Sequence, residues 1–149
     1  MWRVVSCTAS DAFGAVNPGA EPDWMGTLDI GELLAQYGRV YRDFARSDRR
    51  HGSETVHWVD EAITSFEPDN VRSSALNLVG LASAYFLAGA PELALEAGRK
   101  AQRLAPTLTS RRIVDRIANL RRDATDHLDN CPVSLIMRRE QLAELRCLR

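Results

Sequence analysis

Lysine is almost missing: Lys100 is the only one among 19 basic residues of this 149-residue chain, and the other 18 are arginine. Genome base composition explains such a bias without invoking phosphate binding. Cysteine is scarce as well. Cys7, Cys131 and Cys147 are odd in number, widely separated and without C-x-x-C spacing, which implies neither a disulfide framework nor a zinc site. A reducing cytoplasm is the expected compartment. No apolar run approaches the roughly 20 residues of a membrane-spanning helix. The apolar stretch behind Met1-Trp2-Arg3 is too short for a signal-peptide core. Catalytic signatures are missing too, because the chain has no G-x-x-x-x-G-K loop and no H-E-x-x-H pair. His51 and His57, with Glu54 and Glu61, read as surface ion pairs of a helix rather than metal ligands. No catalytic residue, metal or cofactor is expected, and the chain is expected not to be an enzyme.

What is present is enough apolar material for one buried core. Hydrophobic residues make up 45% of the chain and charged residues 26%, with a net charge of -1, so neither disorder nor an overall basic nucleic-acid binder is suggested. The charge is divided unevenly. Residues 1–70 carry 6 Arg against 12 Asp and Glu, and residues 71–149 carry 13 Arg and Lys against 8 acids.

Hydrophobic periodicity organises most of the chain. Residues 1–27 hold three glycines and two prolines without a sustained period and read as an irregular arm. From Asp29 the apolar residues Ile30, Leu33, Leu34, Tyr37, Val40, Tyr41 and Phe44 recur at helical spacing, with Asp29 and Glu32 placed as a capping box. This helix should reach Arg46. A polar turn over 47–52 should lead to a second helix capped by Ser53 and stopped by Pro68. A third helix begins near Val71, apolar on more than one face as in an element packed between neighbours. Gly89-Ala90-Pro91 then stops one helix and starts the next, expected from Leu93 to Leu104. A fifth begins near Thr107 or Thr109, and a break at Asn130-Cys131-Pro132 precedes a sixth with Leu135, Leu142, Leu145 and Leu148 on one face. The expected class is all-α, six helices with no strand.

Two segments repeat a pattern. Leu34, Tyr37, Gly38 and Tyr41 occupy the positions of the tetratricopeptide signature W-x2-L-G-x2-Y, and Leu78, Leu81, Ala82 and Tyr85 do so again. Ala94, Ala101 and Pro106 follow where that repeat requires small, small and proline. The first copy is stretched by about five residues around 47–51, judged against the repeat spacing. The expected architecture is therefore a short solenoid of antiparallel hairpins over 28–128, with 129–149 as a capping or dimerisation helix.

Beyond the repeat, Glu21-Pro22-Asp23-Trp24, Gly38-Arg39-Val40-Tyr41-Arg42-Asp43 and Arg72-Ser73-Ser74-Ala75-Leu76 through Leu81-Ala82-Ser83-Ala84-Tyr85 resemble the sensory, tetratricopeptide half of bacterial helix-turn-helix transcriptional regulators. The resemblance covers roughly residues 21–128 and implies a concave groove that receives a protein, a peptide or a small signal. The lead before it is shorter than a helix-turn-helix domain, so a relative lacking the DNA-binding domain is expected, either truncated or stand-alone. The repeat register places Glu32, Arg39, Arg42, Asp43, Val79, Ser83 and Phe86 toward the groove, where arginine can grip a carboxylate and Phe86 can anchor an apolar group.

The second class of function is nucleic-acid binding through Arg111, Arg112, Arg116, Arg121 and Arg122 of the fifth helix. Asp115, Asp123 and Asp126 are interleaved with them, and no aromatic residue accompanies them for base stacking. Direct nucleic-acid binding is therefore the weaker expectation. A homodimer through the last helix is an open alternative to capping.

Overall fold

The computed structural model describes residues 29–67, 69–104 and 111–130, together with Thr8, Asp11, Ala12, Gly14 and Ala15 near the start. Among the described residues there are five α-helices and no strand: α1 (Ile30–Ser47), α2 (Gly52–Ser65), α3 (Val71–Leu87), α4 (Pro91–Leu104) and α5 (Arg111–Asn130). The expected sixth helix, the cysteines, and the stops at Pro68 and Pro106 lie outside the described residues, as do the start expected at Thr107 or Thr109 and Glu21-Pro22-Asp23-Trp24. Within the lead, expected to be irregular, Thr8, Asp11, Ala12 and Gly14 are helical, and the Ala15 N–H donates to the Asp11 carbonyl at 3.1 Å.

The helix ends follow local chemistry. Asp29 caps α1 by accepting from the Glu32 N–H at 2.7 Å, which satisfies one of the free amides of the first turn. Only this half of the expected capping box forms, because the Glu32 carboxylate accepts instead from the Ser73 hydroxyl of α3 at 3.0 Å. After α1 the extra residues of the stretched turn form a short 3-10 segment, Arg49–His51, with Asp48 accepting from the Arg50 N–H. The expected cap at Ser53 is a correction: α2 starts at Gly52, the 3-10 turn feeds directly into it, and no side chain caps it. Asn70 caps α3 through the Ser73 N–H.

The α3–α4 connection needs only Ala88, Gly89 and Ala90. Gly89 has φ +80°, its N–H donates to Phe86, and the Ala90 N–H donates to Tyr85. This is the Schellman pairing that satisfies the last carbonyls of a helix, and it favours glycine at the left-handed position. Pro91 then occupies the first position of α4, where its missing N–H costs nothing, so the helix begins two residues before the expected Leu93.

α3 is the central element. It packs against α1, α2, α4 and α5, and α1 packs against α2. Its side chains from Ala75 to Ala84 are all buried, as are Phe86 and Leu87. The main core joins Val59, Leu81, Ala82, Phe86, Ala94, Ala97, Leu120 and Ala124. A smaller core, Leu34, Ala35, Ala62 and Phe66 with Tyr37 and Trp58, holds α1 on α2. The small residues of the repeat pattern sit where helices meet: Ala62 and Ala82 are 0% exposed, and a Cβ on Gly38 would collide with the Val59 side chain. Close packing at these points leaves no room for a larger group.

Candidate functional site

α1, α3 and α5 share a face in which a cavity of about 470 Å³ opens. Helical spacing on each of the three helices builds it. Glu32, Ala35 and Arg39 follow at steps of three and four along α1; Arg72, Ser73, Leu76 and Asn77 cover one side of α3; Arg112 and Arg116 are four apart on α5. The lining thus contains four arginines and one carboxylate, which already accepts a hydrogen bond from Ser73. Asn77 is buried and donates to the Ser73 carbonyl at 2.9 Å.

Beyond the cavity, toward the end of α1, the polar groups close on one another. Asp123 is 1% exposed and receives both arms of the Arg46 guanidinium, Nε to Oδ1 at 2.9 Å and Nη2 to Oδ2 at 2.8 Å. The Ser83 hydroxyl donates to the same Oδ2. Arg46 also pairs with Asp43, and Arg49 donates to the Asp126 carbonyl. Burial of a carboxylate is tolerable here because it is paired and hydrogen-bonded.

Between the closed network and the open cavity lies Arg42. It is 7% exposed and its Nε has no hydrogen-bond partner. Its Nη1 and that of Arg116 approach the same spot above Gly80: a Cβ built there would lie 2.8 Å from one and 3.3 Å from the other. Burial, then the neighbouring Arg116 and Arg46, pulls the Arg42 pKa down to about 10. Burial, then Arg39 and Arg112, does the same to Arg116. Both groups stay charged near neutral pH, so positive charge is concentrated in a partly desolvated place.

The structure thus brings Glu32 and Arg39 to the cavity, whereas Arg42 lies outside its lining, beside Arg116 at Gly80. Asp43 is exposed and bound to Arg46. Val79, Ser83 and Phe86 are 7%, 3% and 0% exposed: Val79 and Phe86 are core residues and Ser83 belongs to the Asp123 network. The cavity side of α3 is offset by about a quarter turn from the side expected for them, at 100° per residue. Arg72, Ser73 and Asn77 were not anticipated, and the i, i+4 spacing of the polar Ser73 and Asn77, next to Arg72, is the signal that could have found them. The five arginines of α5 do not form one track. Arg112 and Arg116 face the cavity, whereas Arg111 and Arg122 fall about 100° away beside Asp115 and Asp126, with Arg121 on a third side.

A second cavity, about 410 Å³, lies between α2, α3 and α4, with Ile63, Leu78, Leu81, Tyr85 and Leu93 among its mainly apolar walls. Leu93 there is 47% exposed. His51 pairs with Glu54 and His57 with Glu61, as two separate contacts. Among the described residues, no group of three or more metal-ligating side chains occurs, and no helix is long and apolar enough to cross a membrane.

Comparison with protein-family models, with curated proteins and with solved structures finds no match.

Proposed function

We propose that this chain is a non-catalytic, tetratricopeptide-type interaction module of the cytoplasm, a regulatory or signal-sensing part of a transcriptional regulator. Its ligand face is the one shared by α1, α3 and α5, and the ligand is a protein, a peptide or a small signal. The single observation that carries this reading is the cavity of about 470 Å³ lined from all three helices, a volume within the range of ordinary ligand sites. Two features support a repeat solenoid: hairpins joined by short turns, and small residues where the helices cross. Residues 129–149 act as a cap or, alternatively, join two copies.

Nucleic-acid binding is the second reading, favoured by the exposed Arg111, Arg112, Arg121 and Arg122 of α5. The faces to which the arginines point count against it, since one groove cannot meet all five at once.

The two are separated by capture from host lysate, with and without nuclease. Arg39→Glu combined with Arg72→Glu is expected to abolish recovery of a nuclease-resistant partner, while Leu93→Arg on the opposite side of α3 leaves it intact. Recovery of nucleic acid alone, lost as salt rises, would move the function to α5.

A further inference from the structure

We infer that the cavity between α1, α3 and α5 is a site for a compact, multiply charged phosphate-type oxyanion, an inference that rests on the reading of this face as the ligand face. Arg39, Arg72, Arg112 and Arg116 line it, and Glu32 is its one acid. Two carboxylates on the same helices beyond the lining are already engaged. Asp123 is held by Arg46 and Ser83, and Asp43 by Arg46. The lining itself thus carries four guanidinium groups against one carboxylate.

Arg42 strengthens the case. Its guanidinium is 7% exposed, carries an unpaired Nε and meets Arg116 above Gly80, where the missing side chain leaves space for both. Two like charges held this close in a poorly solvated place are costly, and a bound anion offsets that cost. Planar guanidinium forks suit oxyanions, and several forks converging on one small volume suit a group with three or more acceptor oxygens better than a single carboxylate. At the α3 wall the Ser73 hydroxyl is engaged by Glu32, and the Asn77 amide, which gives one N–H to the Ser73 carbonyl, has a second N–H. The same chemistry can come from a free phosphorylated small molecule or from a phosphorylated side chain of a partner.

The test is calorimetric titration of the full chain, at constant ionic strength set with chloride, with pyrophosphate, with a phosphoserine peptide and its unphosphorylated form, with succinate and with a single-stranded oligonucleotide. Saturable one-to-one binding of pyrophosphate or of the phosphopeptide is expected, with the thermal midpoint raised by the same probe. Pyrophosphate alone identifies a free small molecule; tighter binding of the phosphopeptide identifies a modified partner. Arg116→Met should weaken binding by about tenfold or more, the loss of one charge-assisted hydrogen bond. Arg72→Gln at the exposed rim, which leaves the core untouched, should weaken it several-fold. Arg42→Met should lose affinity while raising the thermal midpoint of the unliganded chain.

Binding of succinate or oligonucleotide in place of the phosphate probes would overturn the inference, as would phosphate binding unchanged in Arg116→Met and Arg72→Gln. If the phosphate probes fail while partner capture still depends on Arg39 and Arg72, only the phosphate chemistry falls. If capture fails as well, the interaction-module reading falls with it.

Discussion

The two hairpins of this chain solve the same packing problem with different materials. α3 and α4 join through a three-residue Schellman turn and meet across alanines and leucines, with Ala82, Ala94 and Ala101 nearly or fully inaccessible. α1 and α2 join through a longer polar turn and meet across rings: Trp58 lies edge-on to Tyr37 at 5.2 Å and stacks on Tyr41 at 6.2 Å. The second hairpin is closed by apolar contact. The first also relies on charge, since Arg46 and Arg49 reach across to Asp123 and Asp126 of α5. The difference places the polar chemistry on one side of the molecule, where the cavity opens. Apolar area built the second hairpin and gave it no charged groups facing that cavity except at the start of α3.

The sharpest way to break this comparison is to cut the charged tie. Asp123→Ala should lower stability by about 2–4 kcal/mol in urea unfolding, because it removes both hydrogen bonds of the half-buried Arg46 to α5 and strands the buried Ser83 hydroxyl. A loss below about 1 kcal/mol would mean that the first hairpin does not depend on α5. Gly38→Leu comes next, at roughly 1–3 kcal/mol or more, since it forces α1 away from Val59. Hydrogen exchange should then rise first in α1 and α2, leaving the α3–α4 hairpin protected.

On the second hairpin, Gly89→Val should cost about 1–2 kcal/mol through the left-handed backbone alone. Denaturant melts of this variant should leave the slope unchanged. The smallest effect concerns pH. His127 is 3% exposed against Phe86, and burial, then Arg49, lowers its pKa below the ordinary 6.5. The unfolded chain therefore takes up this proton first. The His127 contribution is fully present above about pH 7, declines as pH falls through the unfolded value, and levels off below the folded one. His127→Leu should flatten that part of the stability profile, and an unchanged profile would assign the titration elsewhere.

Much of the fold was legible because it depends on local signals. The period of Leu34, Tyr37 and Tyr41, the cap at Asp29 and the stop at Gly89 each act within a few residues, and the helices stand where those signals put them. The stretched turn was visible as extra residues near Asp48, though not its 3-10 form or the uncapped start of α2. The site was harder to read because it depends on how far each helix is rotated. A repeat register assigns faces from an average geometry, and α3 is buried almost all round, with its polar residues mostly in the first two turns, so beyond them little in its sequence corrects the assignment. The register thus points Val79 and Phe86, both core residues, toward the groove. Arg112 and Arg116 were recognised as basic but grouped with arginines that point elsewhere, since a list of charges along one helix says nothing of its neighbours.

The place where an anion sits is the most direct test of the ligand face. Backbone amide and arginine Nε–H resonances of the full chain should be followed during titration with pyrophosphate. The account predicts shifts at Arg39, Arg72, Arg112 and Arg116, with the Arg42 Nε–H slowed in exchange. Shifts confined to the apolar cavity around Leu81 and Tyr85, or to Arg111 and Arg122, would contradict it.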